Sequence, residues 1–363
     1  MRPRIFAYYL PQYHPFPEND EWWGKGFTEW TNVAKARRLF PGHRQPHIPA
    51  DLGFYDLRLP EVREQQAALA RQAGIEAFCY YEYWFGNGRQ LMQRPFEEVV
   101  ASGRPDFPFC LCWANHSWYK KLWNPDEPGK DILLAEQQYH GEEDYTAHFH
   151  HLLPAFRDRR YVRVGGRPFY VLYDALGFQD VGTFITTWRR LAKKHGLGDF
   201  FFVATDYNSE HKDMLLDKGF DAVNNVDYIN IYHTAPAWKK AVRTVLRKYA
   251  GIPMVYRYKD AARHMLHPSC RERQVIPVIA PNWDHTPRSG RRGLVFTNAH
   301  PRYFRDLALR AFAMLGEKPQ DEQIVMLKSW NEWGEGNYME PDLEYGHGYI
   351  DALAEAMSIV ASA

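Results

Sequence analysis

Short apolar runs that read as buried strands alternate with helix-like segments along almost the whole chain. The runs are Ile5–Leu10, Ile75–Tyr83, Phe107–Trp113, Phe169–Tyr173, Phe200–Thr205, Asp221–Val226, Val275–Ala280 and Gln323–Leu327. Helical patterns fall between and after them, at Glu61–Ala73, Leu91–Ala101, Glu142–Phe156, Asp180–Lys194, His211–Lys218, Ala237–Tyr249, Tyr256–Met265, Pro301–Leu315 and Tyr349–Val360. Several ends carry their own chemistry. Pro60 suits a first helical position, Asp180 an N-cap, and Gly74, Gly196 and Gly219 suit helix stops. Apolar strands joined by helices indicate a parallel sheet, whose strands have no wet face. Eight βα units predict an α/β fold: one closed (β/α)8 barrel with enlarged βα loops, a single domain over residues 1–363. A doubly wound open sheet is the competing arrangement.

A formal net charge of +1 argues against a nucleic-acid partner, which asks for a basic face. The 12 Trp, 23 Tyr and 22 Phe are an aromatic excess that suits a carbohydrate site, though large cores also consume aromatics. No apolar run approaches the ~20 residues that span a bilayer. Met1–Phe6 runs straight into the first strand without an apolar leader. Cys79, Cys110 and Cys112 lie in strand-like runs, where reduced buried thiols are the default. These features predict a cytoplasmic protein; one already trimmed of a leader for the periplasm would read the same. Phosphate-loop, dinucleotide, zinc-protease and nucleophile-elbow motifs are missing, as is any Asp-x-Asp. His43 and His47 stand in a proline-containing loop, while His148, His150 and His151 share a predicted helix. No metal and no cofactor are expected.

In a (β/α)8 barrel the active site forms from the loops after the strands. The first strand leads to Tyr8, Tyr13, His14, Glu29 and Trp30; the second to Tyr81, Tyr83 and Trp84. The third leads to Trp113 and Asn115, the fourth to Tyr173, the fifth to Asp206-Tyr207 and the sixth to Asp227-Tyr228. The seventh leads to Trp283, Asp284 and His285. After the eighth comes Ser329-Trp330-Asn331-Glu332-Trp333-Gly334-Glu335-Gly336, with two carboxylates three apart, two indoles, an amide and two glycines. Indoles beside paired carboxylates are what sugar hydrolysis asks for: flat apolar platforms and two proton-handling groups. The bland alternative is a turn with solvated acids. The sharper expectation is an oligo- or polysaccharide partner, with Trp84, Trp113, Trp283, Trp330 and Trp333 as stacking platforms. Asn115, Asp284, His285 and Asn331 are the expected hydroxyl-binding groups.

These blocks together resemble the WbsX-like branch of glycoside hydrolase family 99, the endo-α-mannosidase family, over nearly the whole chain. The likeness is carried by Tyr8–His14, Gly26-Phe27-Thr28-Glu29-Trp30, Trp113-Ala114-Asn115, Trp283–Arg288 and Trp330–Gly336. It implies a (β/α)8 barrel and hydrolysis of α-linked manno-configured glycans, 6-deoxy sugars such as D-rhamnose included. It also implies roles. Glu332 would deprotonate the sugar's own 2-hydroxyl, which attacks the anomeric carbon to give a 1,2-anhydro sugar. Glu335 would protonate the leaving oxygen and then act as base toward water, with net retention and no enzyme-bound ester. A raised pKa is expected for Glu335, from like charge and a partly dry aromatic wall. The branch's third-strand block usually ends in Glu, where this chain has His116. Relatives in O-antigen and lipopolysaccharide loci are labelled glycosyltransferases, so a transferase stays open, as does a catalytically silent glycan-binding protein.

Overall fold

The computed structural model describes residues 3–120, 131–207, 209–227, 231 and 234–362. Tyr228, expected at the end of the sixth strand, lies outside the described residues. The strands that build the barrel are β1 (Arg4–Tyr9), β2 (Ala77–Glu82), β3 (Phe109–Trp113) and β4 (Arg167–Leu172). They continue as β5 (Phe201–Tyr207), β6 (Ala222–Val226), β7 (Val275–Ile279) and β8 (Ile324–Leu327). Each pairs in parallel with the next. The ring closes when β8 returns to β1, Arg4 opposite Ile324 and Ala7 opposite Leu327. That closure rules out the open sheet, and the fold is a (β/α)8 barrel.

A helix follows each strand: α1 (Pro60–Gln72), α2 (Arg94–Ser102), α3 (Glu142–Arg157), α4 (Val181–Lys194) and α5 (Lys212–Asp217). They go on as α6 (Ala237–Val245), α7 (Pro301–Phe312) and α8 (Gly348–Ser362). In α4 the sequence logic is plain. Val181, Phe184, Ile185, Trp188, Leu191 and Ala192 recur at helical spacing and are all buried, a stripe laid against the sheet. Gly196, at φ +75°, then ends the run in a conformation that a side chain disfavours. Asp180 stands at the N-cap position but its carboxylate accepts from the Tyr145 hydroxyl at 3.0 Å, not from the helix backbone. All four cysteines are buried and unpaired.

Two expectations change. The segment expected to be helical over 256–265 starts instead as a strand, Met254–Arg257, paired in parallel with Leu294–Thr297, and only Tyr258–Ala262 is helical. Alternating Met254 and Tyr256 bury one face of this strand, a period of two that helix reading misses. The 237–249 helix ends at Val245 and widens into a π turn over Leu246–Ala250. No helix among the described residues is long and apolar enough to cross a membrane.

Candidate active site

β8 is buried throughout, so its apolar run ends where the chain meets the open end of the barrel. There Lys328 and Ser329 lead into a small hairpin, Asn331–Glu332 against Asn337–Tyr338, with a tight turn over Trp333–Glu335 at its tip. The turn holds Glu332 and Glu335 on the rim of one cleft of about 600 Å³. Gly336 is required at its place: its φ is +61° and a Cβ would meet the Asp284 amide nitrogen at 2.6 Å. That same amide donates to the Glu335 carbonyl at 2.7 Å, locking the turn to the loop after β7.

Charge converges here. Arg288 Nη1 donates to Glu335 Oε1 at 2.5 Å and lies 3.7 Å from Glu332 Oε1, while its Nε donates to Glu29 Oε1 at 2.8 Å. Sharing one nitrogen, the Glu332 and Glu335 oxygens stand no more than about 6 Å apart. Lys328 Nζ donates to Glu332 Oε2 at 3.2 Å and sits 4.0 Å from Glu335 Oε2; Ser329 Oγ donates to Glu332 Oε2 at 2.7 Å. His285 Nε2 lies 3.7 Å from Glu335, and the Asn337 amide donates to its other oxygen at 3.1 Å. Three carboxylates therefore face a guanidinium, an amine and an imidazole.

The expected raised pKa of Glu335 is not what this arrangement gives. Burial pushes the carboxyl up, but the Arg288 guanidinium, helped by Lys328 and His285, holds it well below the usual carboxylate range. Pairing outweighs dehydration. The phenols around it behave in the opposite way. Burial raises Tyr81, Tyr83 and Tyr173, keeping them neutral donors on the wall. Burial also lowers His116, so the residue that departs from the branch's pattern lines the cleft as a neutral imidazole, its ring 5.1 Å from that of Tyr173.

Of the residues expected from sequence, Glu29, Tyr81, Tyr83, Tyr173, His285, Glu332 and Glu335 line this cleft. The five expected stacking indoles do not. Trp84 donates to Asp144 at 3.1 Å and lies flat on His148; Trp113 donates to the Trp84 carbonyl at 3.0 Å among Phe178 and Phe184. Trp330 is fully buried against Phe78, and Trp333 stacks on Tyr338 while donating to Glu340 at 2.6 Å. Trp283 lies buried beside a second, smaller cavity. Trp30 donates to the Tyr55 carbonyl at 2.8 Å. These indoles are held by partners inside the fold, and none offers the cleft a face.

The remaining expected contacts are likewise taken up internally. Tyr8 stacks on Tyr81 and accepts from Asn224; Tyr13 donates to the Asn331 carbonyl and accepts from the Trp333 amide. His14 pairs with the Pro11 carbonyl at 3.0 Å and sits by the loop before α2. Asn115 ties both backbone groups of Asp174, and Asn331 both of Leu10. Asp284 accepts from Gln45 and Thr286 and pairs with His43 at 2.8 Å. Paired amides and carboxylates that bridge two loops hold the rim in register without touching its contents.

Beside Tyr81, Tyr83 and Tyr173, the cleft's aromatic wall includes Trp23, Phe27 and Trp118. Trp23 comes from the helix Pro17–Trp23 in the loop after β1; Trp118 comes from a ribbon pairing Trp118–Lys120 with Ile132–Ala135. Trp118 is bracketed by Tyr83 at 5.2 Å and Trp22 at 6.0 Å. Sequence reasoning also passed over Arg288 and Lys328. Lys328 had a signal, being the first residue past the last strand. Arg288 stood inside a quoted block, but nothing in its spacing says that it reaches back to Glu29.

A family model described as Glycosyltransferase WbsX matches residues 5–353. A relative from Xanthomonas campestris pv. campestris strain B100, named Uncharacterized protein WxcX, is 38% identical over 355 residues, 98% of this chain and 49% of its own. The chain spans about half the length of the curated relatives it matches. Among solved structures, the GH99 endo-α-mannosidase from Bacteroides thetaiotaomicron in complex with BIS-TRIS-propane aligns with a TM-score of 0.60 and 12% identity. That alignment covers 99% of this chain and 98% of that one. A structure titled Glycoside hydrolase-like protein aligns with a TM-score of 0.58 and 15% identity, covering 98% and 94%. At such identities the likeness is one of fold.

Proposed function

The chain belongs to the WbsX family, and from that premise we propose that it is a retaining glycosidase that cleaves α-linked manno-configured polysaccharide. The observation that carries this reading is the Glu332/Glu335 pair on the rim of an aromatic-walled cleft, its oxygens no more than about 6 Å apart. A separation of that size supports a retaining pair, since inverting pairs stand roughly 6.5 to 9.5 Å apart. Glu332, held by Lys328 and Ser329, is the base for the substrate's 2-hydroxyl, which closes onto the anomeric carbon as the glycosidic bond breaks. Glu335 gives the leaving oxygen its proton, then takes one from the water that opens the 1,2-anhydro ring.

With Arg288 in place Glu335 rests ionised, which is the form the second half needs. For the first half it must gain a proton. A glycan filling the cleft excludes water and sets its leaving oxygen against Glu335, favouring the neutral carboxyl. His285 lies 3.7 Å away and is the proton donor in this reading. Trp23 and Trp118 are the stacking faces.

The family's own description favours one other reading, a glycosyltransferase in which Glu332 activates an acceptor hydroxyl. The test is release of sugars from α-mannan and D-rhamnan oligosaccharides with no nucleotide sugar present, followed by NMR of the fresh product. Release of the α-anomer supports the hydrolase. Turnover only with a nucleotide-sugar donor supports the transferase, and saturable binding without turnover supports a lectin-like protein.

A further inference from the structure

α6 (Ala237–Val245) and the turn Leu246–Ala250 bury none of their residues. Along them Trp238, Val242, Val245, Leu246 and Tyr249 stand between 40% and 76% exposed. At 3.6 residues per turn, Trp238, Val242 and Val245 fall within an arc of roughly 60°, and Leu246 and Tyr249 carry the exposed apolar run into the π turn. An amphipathic helix on a globular protein turns such a stripe inward. This one does the reverse. The side that meets the body is polar: Arg243 donates to the Val255 carbonyl at 3.0 Å and lays its guanidinium on Tyr256 at 4.0 Å. Arg243 lies roughly 130° around the helix from the stripe.

Charge narrows what can cover this face. The stretch 237–250 carries Lys239, Lys240, Arg243, Arg247 and Lys248 and no acid. Lys239 and Lys248 are both exposed, their Nζ atoms 5.4 Å from the Trp238 ring and 5.2 Å from the Tyr249 ring. Two copies meeting here would bring lysines against lysines, with no acid in the stretch to pair them. An outward apolar stripe with aromatic ends and a cationic border matches a lipid interface, where Trp and Tyr settle at the headgroups and Lys and Arg meet phosphate.

We propose that this stretch docks the protein on an anionic lipid surface, with Trp238, Val242, Val245 and Tyr249 entering the headgroup boundary. The docking face also connects with the cleft. Met254–Arg257, on which Arg243 rests, pairs with Leu294–Thr297. The Leu294 carbonyl in turn accepts from the His285 amide at 3.0 Å, and the Phe296 amide donates to the Trp283 carbonyl at 2.8 Å. One short sheet therefore carries the surface helix on one side and the His285–Arg288 segment on the other. The docking is independent of which reaction the cleft performs.

The test is sedimentation of the chain with vesicles of phosphatidylcholine alone and of phosphatidylcholine mixed with phosphatidylglycerol. The chain is expected to pellet with the mixed vesicles, less so as salt rises. A Trp238→Gln/Val242→Gln/Tyr249→Gln variant is expected to lower the bound fraction about tenfold with its thermal transition unchanged. Lys239→Gln/Lys248→Gln is expected to weaken binding to the mixed vesicles, while Leu59→Gln/Leu343→Gln, at exposed apolar positions elsewhere, leaves it unchanged. Failure of the unaltered chain to bind mixed vesicles overturns the proposal, as does equal binding by the triple variant. A concentration-dependent dimer that the triple variant abolishes assigns the face to a second copy and overturns it too.

Discussion

Replacing Arg288 with glutamine removes the cation that ties Glu29 to Glu335. The side chain is only 23% exposed, and Glu29 is 2% exposed, so both ends of the pair sit mostly out of water. At 2.8 Å from Glu29 and 2.5 Å from Glu335, each contact has a Coulomb energy of about 6 kcal/mol at an effective permittivity near 20. Dehydration of the guanidinium and the carboxylates cancels much of that. Breaking such a pair from one side costs about 3 to 5 kcal/mol, because the partner's charge is left buried and alone. The partial exposure of Arg288 puts the expectation at the low end, about 3 kcal/mol. The decisive comparison is the double variant. Glu29→Gln in the Arg288→Gln background removes the stranded charge and is expected to return about half of the loss or more. Urea unfolding of the four proteins measures both quantities. Additive losses from the two substitutions would refute the claim that Glu29 is held for Arg288.

Three further outcomes follow from the same geometry. A Cβ at Gly334 would lie 1.5 Å from Glu29 Oε1, so Gly334→Ala should cost about 2 kcal/mol or more in thermal unfolding, and shortening Glu29 to alanine should return part of it. Burial raises buried Glu340 from its ordinary 4.5 to about 7, against hydrogen bonds from Trp333, Gln66 and Tyr55. The folded protein therefore holds a proton that the unfolded chain releases near 4.5. This contribution is fully present below that pH and is lost as pH rises through 7, by about 3 kcal/mol. Wild type should lose more stability between pH 5 and pH 8 than Glu340→Gln, as read from urea midpoints at the two pH values. Finally, Trp118→Ala should raise KM at little cost in thermal stability. Trp84→Ala should cost about 3 kcal/mol or more, since it leaves a cavity and strips Asp144 of a donor.

The barrel was legible because its signal is repeated: eight apolar runs with helical spacers leave few other arrangements. Much of the rim was not. Which way a strand-end residue points follows from parity along the pleat, and parity needs a reference. Tyr81 faces the cleft and pairs with Cys112, so Trp113, one residue on, must face the helices, where Phe178 and Phe184 meet it. Beyond the strands there is no period at all. Trp330 and Trp333 alternate with Glu332 and Glu335 in sequence, yet a hairpin with a tight turn sends the carboxylates to the cleft and the indoles to the core. Trp118 stands five residues beyond the third strand, and its ribbon, formed with Ile132–Ala135, brings it to the cleft wall. The electrostatics were the least legible. Like charge and an apolar wall predicted a raised Glu335, and Arg288, 47 residues earlier in the chain, reverses the sign.

The central claim is the division of labour between Glu332 and Glu335, and leaving-group dependence tests it most directly. An aryl α-mannoside with a nitrophenolate leaving group needs no acid, whereas an α-linked oligosaccharide does. Glu335→Gln is predicted to lose about 10²-fold or more on the oligosaccharide while keeping formation of the anhydro sugar from the aryl substrate, and Glu332→Gln to lose both. Equal losses on both substrates in Glu335→Gln, or wild-type rates in Glu332→Gln, would contradict it.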